Sequence, residues 1–311
     1  MALLDDISEK IKLTVQHESG NVEFWLTQIN NDIFKIKHWN AENINANETL
    51  RELWLNEVRQ LNRLKSIGNS SKYLELLHRS VIDDKGYYLI YRSNESTKTL
   101  RQFVEDKSKV QGLFSSNAHW ITFKGHKKIS NRIILWKNIL RIVRAIKILH
   151  EQGIVHRNIS LDTILVDDSQ DQEQESEKFL LSGFEWSIYL NNLKKVDYSP
   201  IIKSETINSN TSNDWISLGD VISELLDIGN NPFNMCATEI QLLKILNNNN
   251  STSLLLNAEV IEEILKKIIH ELPQFEDSYN IAYITSNSNI DHFGYKKIRE
   301  NLCKFIDKQL T

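Results

Sequence analysis

The sequence predicts an α+β protein in two lobes, a small β-rich lobe with one helix followed by a larger helical lobe. Three observations carry this prediction. Short β-type runs crowd the chain up to Tyr91, a single amphipathic stretch interrupts them, and from Leu100 onward the apolar spacing turns helical. The 311 residues, 41% hydrophobic and 25% charged, are enough to bury such a core. The expected division places 1–92 in the first lobe and 93–311 in the second, as halves of one domain.

The first elements are β-type runs at Ile11 to Val15, Val22 to Thr27 and Ile33 to Trp39, separated by Gly20 and by Asn30-Asn31-Asp32, and they read as an antiparallel meander. From Glu48 to Lys65 the apolar positions Leu50, Leu53, Trp54, Val58, Leu61 and Leu64 recur at steps of three and four, which predicts a helix. Two further runs, Tyr73 to Ile82 and Tyr87 to Tyr91, flank Asp83-Asp84-Lys85-Gly86, a hairpin signal. After a polar, hinge-like Arg92 to Lys98, helices are expected at Leu100 to Glu105 and Ile133 to His150, with Trp136, Leu140, Val143 and Ile146 on one stripe. Asp106 to Asn131 is expected as a long insert carrying Phe114, Trp120 and Phe123 followed by Lys124, His126, Lys127 and Lys128; it is either a working loop or a disordered one. Asp167 to Lys178, acidic and glutamine-rich, reads as the solvated tip between β-type runs Thr163 to Val166 and Phe179 to Leu181. Asn247 to Ser253 is a polar linker, and Ala258 to Leu272 and Tyr295 to Leu310 are expected helices.

Composition excludes several function classes. No run approaches the roughly 18 apolar residues of a membrane helix, so no membrane role is expected. Met1 to Lys10 has no basic region followed by an apolar one, which argues against a secretory signal. Two cysteines, Cys236 and Cys303, lack metal-ligand spacing and are expected reduced in a cytoplasmic setting. A net charge of -4 and a pI near 6.2 offer nucleic acid no electrostatic attraction.

The segment Leu149-His150-Glu151-Gln152-Gly153-Ile154-Val155-His156-Arg157-Asn158-Ile159-Ser160-Leu161-Asp162-Thr163-Ile164-Leu165-Val166 resembles the catalytic-loop region of protein kinases, whose pattern is H-R-D-L-x-x-x-N before an apolar strand. Asp214-Trp215-Ile216-Ser217-Leu218-Gly219, followed by Asn231-Pro232-Phe233, resembles the family's D-V-W-S-L-G helix and its exit. Lys37 fits the strand lysine, Glu57 its helix partner, and Phe184 the phenylalanine of D-F-G. The resemblance covers roughly Ile11 to Phe233 and implies a bilobal kinase-like fold.

It also implies losses. The aspartate of H-R-D is Asn158, which cannot accept a hydroxyl proton at a useful pKa. The lysine two places on is Ser160, the metal-binding asparagine is Thr163, and the metal-binding aspartate of D-F-G is Gly183. Glu185, Asp162 and Asp167 are the nearby carboxylates that could stand in. No metal ligand set is expected.

Of the glycine-rich pattern only Gly20 and Val22 remain, with Val15 and His17 where backbone amides would approach phosphate. Strand alternation puts Lys35 on the same face as Lys37. The family usually has a small residue at that position, roofing the adenine, so Lys35 is expected to obstruct the base, unless it snorkels outward. Lys37, Glu57, Val22 and Leu165 then form a vestigial nucleotide site, with weak, metal-independent ATP binding the most it would allow. Lys37 and Glu57 also read simply as an ion pair pinning helix to sheet. Leu61, Phe184, His156 and Asp214 match the family's internal column and are expected to be structural. The loop between Glu185 and Pro200 is short, and Ser199-Pro200-Ile201 is a poor match to A-P-E.

The expected function is that of an inactive pseudokinase, binding protein partners as a scaffold or regulator. The alternatives are an atypical ATP-dependent transferase using Lys37, Glu57 and Glu185, or a nucleotide-sensing switch without catalysis. Candidate partner-binding residues are Phe114, Trp120, Phe123 and Lys127, whose mixture of aromatic and basic character suits a protein interface; the acidic Asp167 to Lys178 segment is a second candidate.

Overall fold

The computed structural model describes residues 11–13, 22–29, 32–40, 48–94, 96–111, 128–167, 178–190, 211–226, 235–247 and 258–287. Five strands form the first sheet: β1 (Ile11–Leu13), β2 (Val22–Ile29), β3 (Asp32–Asn40), β4 (Leu77–Asp83) and β5 (Gly86–Ser93), in the spatial order β1-β2-β3-β5-β4 with every pair antiparallel. Asp83 makes the β4–β5 turn by accepting hydrogen bonds at Oδ1 from the N–H groups of Lys85 (2.9 Å) and Gly86 (3.1 Å), the aspartate-led turn its sequence signals.

Helix α1 (Glu48–Lys65) lies on one face of this sheet. Its buried residues Leu50, Trp54, Glu57, Gln60, Leu61 and Leu64 recur at helical spacing, so one stripe goes inward. Trp54 fastens it by donating from Nε1 to the carbonyl of Tyr88 at 3.1 Å. Phe34, Ile36, Tyr88 and Ile90 form a separate small cluster, the alternate side of β3 and β5, with Trp25 and Val81 packed against it.

The second lobe opens with β6 (Lys98–Thr99) and α2 (Leu100–Gln111) and is built on α3 (Lys128–Glu151). Leu135, Trp136, Ile139, Ile142, Val143, Ile146 and Leu149 of α3 are all buried, and the helix packs against α6 (Ala258–Asn287) and β9 (Lys178–Leu181). Small ladders join β6 to β8 (Ile164–Asp167) and β8 to β9, and β7 (Ile154–Val155) to β10 (Ile188–Tyr189). Helices α4 (Ser212–Leu225) and α5 (Ala237–Leu246) complete the lobe. Gly219 of α4 lets α5 come close: a Cβ there would sit 3.0 Å from Leu246 Cβ and would also strike the Asn247 side chain. A buried bidentate ion pair, Arg132 Nε and Nη2 to Glu239 at 2.7 and 2.8 Å, ties the start of α3 to α5; Trp136 Nε1 donates to the same carboxylate.

Several expectations are corrected. The run Tyr73 to Ile82 is not one strand: a 3₁₀ turn at Ser70–Lys72 leads into Tyr73 to Glu75, whose backbone bonds Leu181 across the lobes, and β4 begins only at Leu77. The insert expected over Asp106 to Asn131 is helical at both ends, since α2 runs to Gln111 and α3 begins at Lys128; 112–127 lie outside the described residues. Helix α6 does not stop at Leu272 but continues through Pro273 to Asn287. Residues 168–177, 248–257 and 288–311 also lie outside, and with them the acidic tip, most of the polar linker and the last expected helix.

Candidate functional site: the cleft between the lobes

Lys35 and Lys37 occupy alternate positions of β3, so both project from the face that carries α1. The Lys37 ammonium donates to Glu57 Oε2 at 2.8 Å and to Glu185 Oε2 at 2.9 Å, and it lies 4.5 Å from the centroid of the Trp39 ring. Its side chain is only 5% exposed. Burial by itself would lower the lysine pKa, but the carboxylates of Glu185 and Glu57 outweigh it and hold the ammonium above its usual value. Glu57 is pushed up, by burial first and by the neighbouring Glu185 charge, against the pull of Lys37. Its other oxygen accepts from the Tyr91 hydroxyl at 2.9 Å, and burial keeps that phenol un-ionised.

Glu185 is itself fixed by α1. Asn56, one residue before Glu57, donates from Nδ2 to the backbone carbonyls of Glu185 (3.0 Å) and Ser187 (2.7 Å). Ser187 Oγ closes the turn by donating to the carbonyl of Phe184 at 2.5 Å. Two consecutive residues of one helix therefore hold this segment, one through backbone and one through the shared lysine.

Lys35 resolves the alternatives posed by its sequence. It does not snorkel: its side chain is 12% exposed and its ammonium meets Glu75 Oε1 at 2.5 Å, lying 5.0 Å from the Tyr91 ring centroid and 5.8 Å from that of Phe24. The partner, Glu75, was not foreseen because no local pattern marks it. Its N–H donates to the carbonyl of Leu181 at 2.9 Å, so this ion pair is anchored on the second lobe.

Asp214 organises the catalytic-loop segment. One oxygen accepts from the His156 N–H (2.9 Å) and meets His150 Nε2 at 2.9 Å, and the other accepts from the Arg157 N–H at 2.8 Å. Burial pushes this carboxyl up, but those partners outweigh it and hold it below its ordinary range. Arg157 has φ 67°, a left-handed conformation costly for a residue with a side chain, and the Asp214 clamp sustains it. His156 contacts Asp214 by its backbone only: its ring points to the carbonyl of Ser182 at 2.9 Å and meets Phe184 edge-on at 5.0 Å, and burial lowers its pKa. Leu61 and Phe184 are buried in the same apolar cluster.

The positions that in the family carry the base, the phosphate-steadying lysine and a metal ligand are engaged with each other. Thr163 Oγ1 donates to the carbonyl of Asn158 at 2.6 Å and accepts from the Ser160 N–H at 2.9 Å, while its own carbonyl accepts from Ser182 N and Oγ at 2.8 and 3.0 Å. Gly183 has φ 77°, and a Cβ there would lie 2.8 Å from Thr163 Cγ2. Of the nearby carboxylates, Asp162 is held by Arg101 Nε at 2.9 and 3.0 Å, Asp167 accepts from Asn94 at 2.6 Å, and Glu185 is on Lys37. Among the described residues no group of three or more His, Cys, Asp or Glu is placed to hold a metal ion. A metal-bound nucleotide needs carboxylate and amide oxygens facing the ion and an ammonium able to meet phosphate. The residues present do not fit it: the four positions carry Asn158, Ser160, Thr163 and Gly183, and Lys37 already serves two carboxylates.

Val22 and Leu165 are buried, with Val22 opposite Trp39 and Leu165 between Thr99 and Leu180. Residues 14–21 of the degenerate glycine-rich segment and 191–210 of the activation segment lie outside the described residues, as do Phe114, Trp120, Phe123 and Lys127. No described helix is long and apolar enough to cross a membrane.

No family model matches the sequence, and no curated protein matches it. Solved structures do. One is vaccinia related kinase 3, with a TM-score of 0.55 and 15% identity over 86% of this chain and 87% of that one. Another is the BubR1 kinase domain, with a TM-score of 0.56 and 14% identity over 88% and 82%. Both are kinase structures that match over most of this chain's length, with the strands first and the helices after. The chain therefore has a bilobal, α+β protein-kinase-like fold.

Proposed function

We propose that this protein is a pseudokinase: a kinase-like domain without phosphoryl transfer that acts in the cytoplasm by binding a protein partner, as a scaffold or allosteric regulator. The observation that carries the reading is the placement of Lys37 between Glu57 and Glu185, 2.8 and 2.9 Å away. Transfer requires that ammonium to meet phosphate beside its helix glutamate and a carboxylate for the substrate hydroxyl; here Glu185 takes a second donor of the ammonium and the carboxylate is replaced by the amide of Asn158. An atypical transferase built on Lys37, Glu57 and Glu185 is disfavoured by the same contact, because its proposed metal ligand is bonded to its proposed phosphate ligand. What remains is a well-tied scaffold, with the Lys37–Glu57 pair, the Phe184–His156 contact and the Asp214 clamp all formed, and such a platform suits recognition by another protein.

The test is incubation of the purified chain with labelled ATP, magnesium or manganese, and generic protein acceptors. No label is expected on acceptor or on the chain. Label that disappears in Lys37→Ala would replace this reading with the enzymatic one.

A further inference from the structure

We infer that the cleft is liganded by the chain itself, the Glu185 carboxylate standing on Lys37 in place of an anionic ligand, so that the inward setting of α1 is fixed on folding and a polyanion site lies latent beneath Glu185. The inference rests on the reading of an inactive cleft and deepens it by naming what took the ligand's place.

An ammonium has three donors. Two of those on Lys37 meet Glu57 and Glu185, the Trp39 ring lies against the same group at 4.5 Å, and the side chain is 5% exposed, so an incoming anion must displace a resident carboxylate. The two carboxylates come from different kinds of element. Glu57 sits within a continuous helix, its second oxygen bound to Tyr91, whereas Glu185 comes from a turn after Gly183 whose backbone is already secured by Asn56. Truncating Glu185 therefore leaves the backbone turn and the Lys37–Glu57 pair in place and opens one face of the cation.

A phosphate chain is the class of ligand that fits the place of a buried carboxylate on Lys37, since its oxygens accept charge-assisted hydrogen bonds from an ammonium. Lys35 repeats the logic two residues away on the same face of β3. It is paired with Glu75, whose backbone is bonded to Leu181 of the second lobe. Both lysines of the face are thus satisfied from within.

The experiment is thermal unfolding of the full chain with tripolyphosphate, and separately with ATP, each with and without magnesium. The parent protein is expected to show no shift. Glu185→Ala should melt lower in buffer and show a saturable rise of roughly 2–4 °C with tripolyphosphate, and Lys37→Met in the Glu185→Ala background should abolish that response. Should Glu185→Ala not fold, Glu185→Ser, whose side chain is too short to reach Lys37, is read the same way. A saturable shift in the parent would overturn self-liganding, as would the absence of any gain in a folded Glu185 variant or a gain that survives loss of Lys37. None of these outcomes depends on phosphoryl transfer, so an unchanged label assay beside a failed anion gain would remove this inference alone.

Discussion

At the scale of single residues, the emptied metal positions are interlocked and do not revert one at a time. Gly183 combines a positive φ with a neighbour, Thr163 Cγ2, that a Cβ would approach to 2.8 Å. Gly183→Ala is therefore expected to destabilise by about 2 kcal/mol, combining strain and overpacking. Thr163→Ser removes the offending methyl but keeps the hydroxyl that bonds Asn158 and Ser160, so in its background the Gly183→Ala cost should shrink by about 1 kcal/mol; a urea-melt double-mutant cycle measures the difference. Additive costs would show that the two positions do not crowd each other. The four substitutions themselves were legible in the sequence because Leu165 and Phe184 fix the register on both sides. Their consequences were not: the Thr163 hydroxyl is a local clasp, three and five residues from Ser160 and Asn158, that the family pattern does not mark, and Glu75 reaches Lys35 from 40 residues away, 75 - 35, which no periodicity reports.

Among the elements, the helices with strong apolar stripes were the most readable. Helix α1 spans Glu48–Lys65, the stretch its spacing predicts, because its buried stripe, charged outer face and polar flanks all agree. The strand beginning at Tyr73 was misread, since a short apolar run fits a strand or an irregular crossing equally well and the pairing of Tyr73 and Glu75 with Leu181 decides it. Helix α4 gives its predicted residue, Asp214, a wider role than expected, because His150 also converges on it. That makes stability acid-sensitive with a definite sign. His156 has a folded pKa below its ordinary 6.5, so the unfolded chain binds a proton first and stability falls as pH drops below about 6.5. Asp214 has a folded pKa below its ordinary 3.8, so its contribution is complete above that value and is lost as pH falls through the folded pKa. Unfolding free energy measured against pH should fall in these two steps, and Asp214→Asn should remove the lower one; a profile flat from pH 7 to 4 would contradict the account. The Arg132–Glu239 pair gives a second test at this scale. Glu239→Gln removes the buried carboxylate that Arg132 meets bidentately, for an expected loss of about 3–5 kcal/mol by denaturant unfolding.

For the whole molecule, the two lobes are joined by backbone as well as by ion pairs. Leu181 N–H donates to Tyr73 and the Glu75 N–H donates to Leu181, while Arg141 of α3 donates to the carbonyls of Phe179 and Lys72. The kinase-like architecture was legible despite 14–15% identity to the solved structures it matches, because the glycine-bounded His-Arg segment, the Asp-Trp helix start and the lysine–glutamate separation are set by the fold's internal contacts. The cleft was legible as a set of losses beside the Lys37–Glu57 pair. That its lysines are paired from within follows from where the turn after Gly183 and the crossing at Glu75 are carried by tertiary packing. The most direct measurement of the central claim is calorimetric titration of the full chain with ATP in the presence and absence of magnesium. The account predicts no magnesium-dependent binding heat at millimolar nucleotide; saturable binding that requires magnesium and is lost in Lys37→Ala would contradict it.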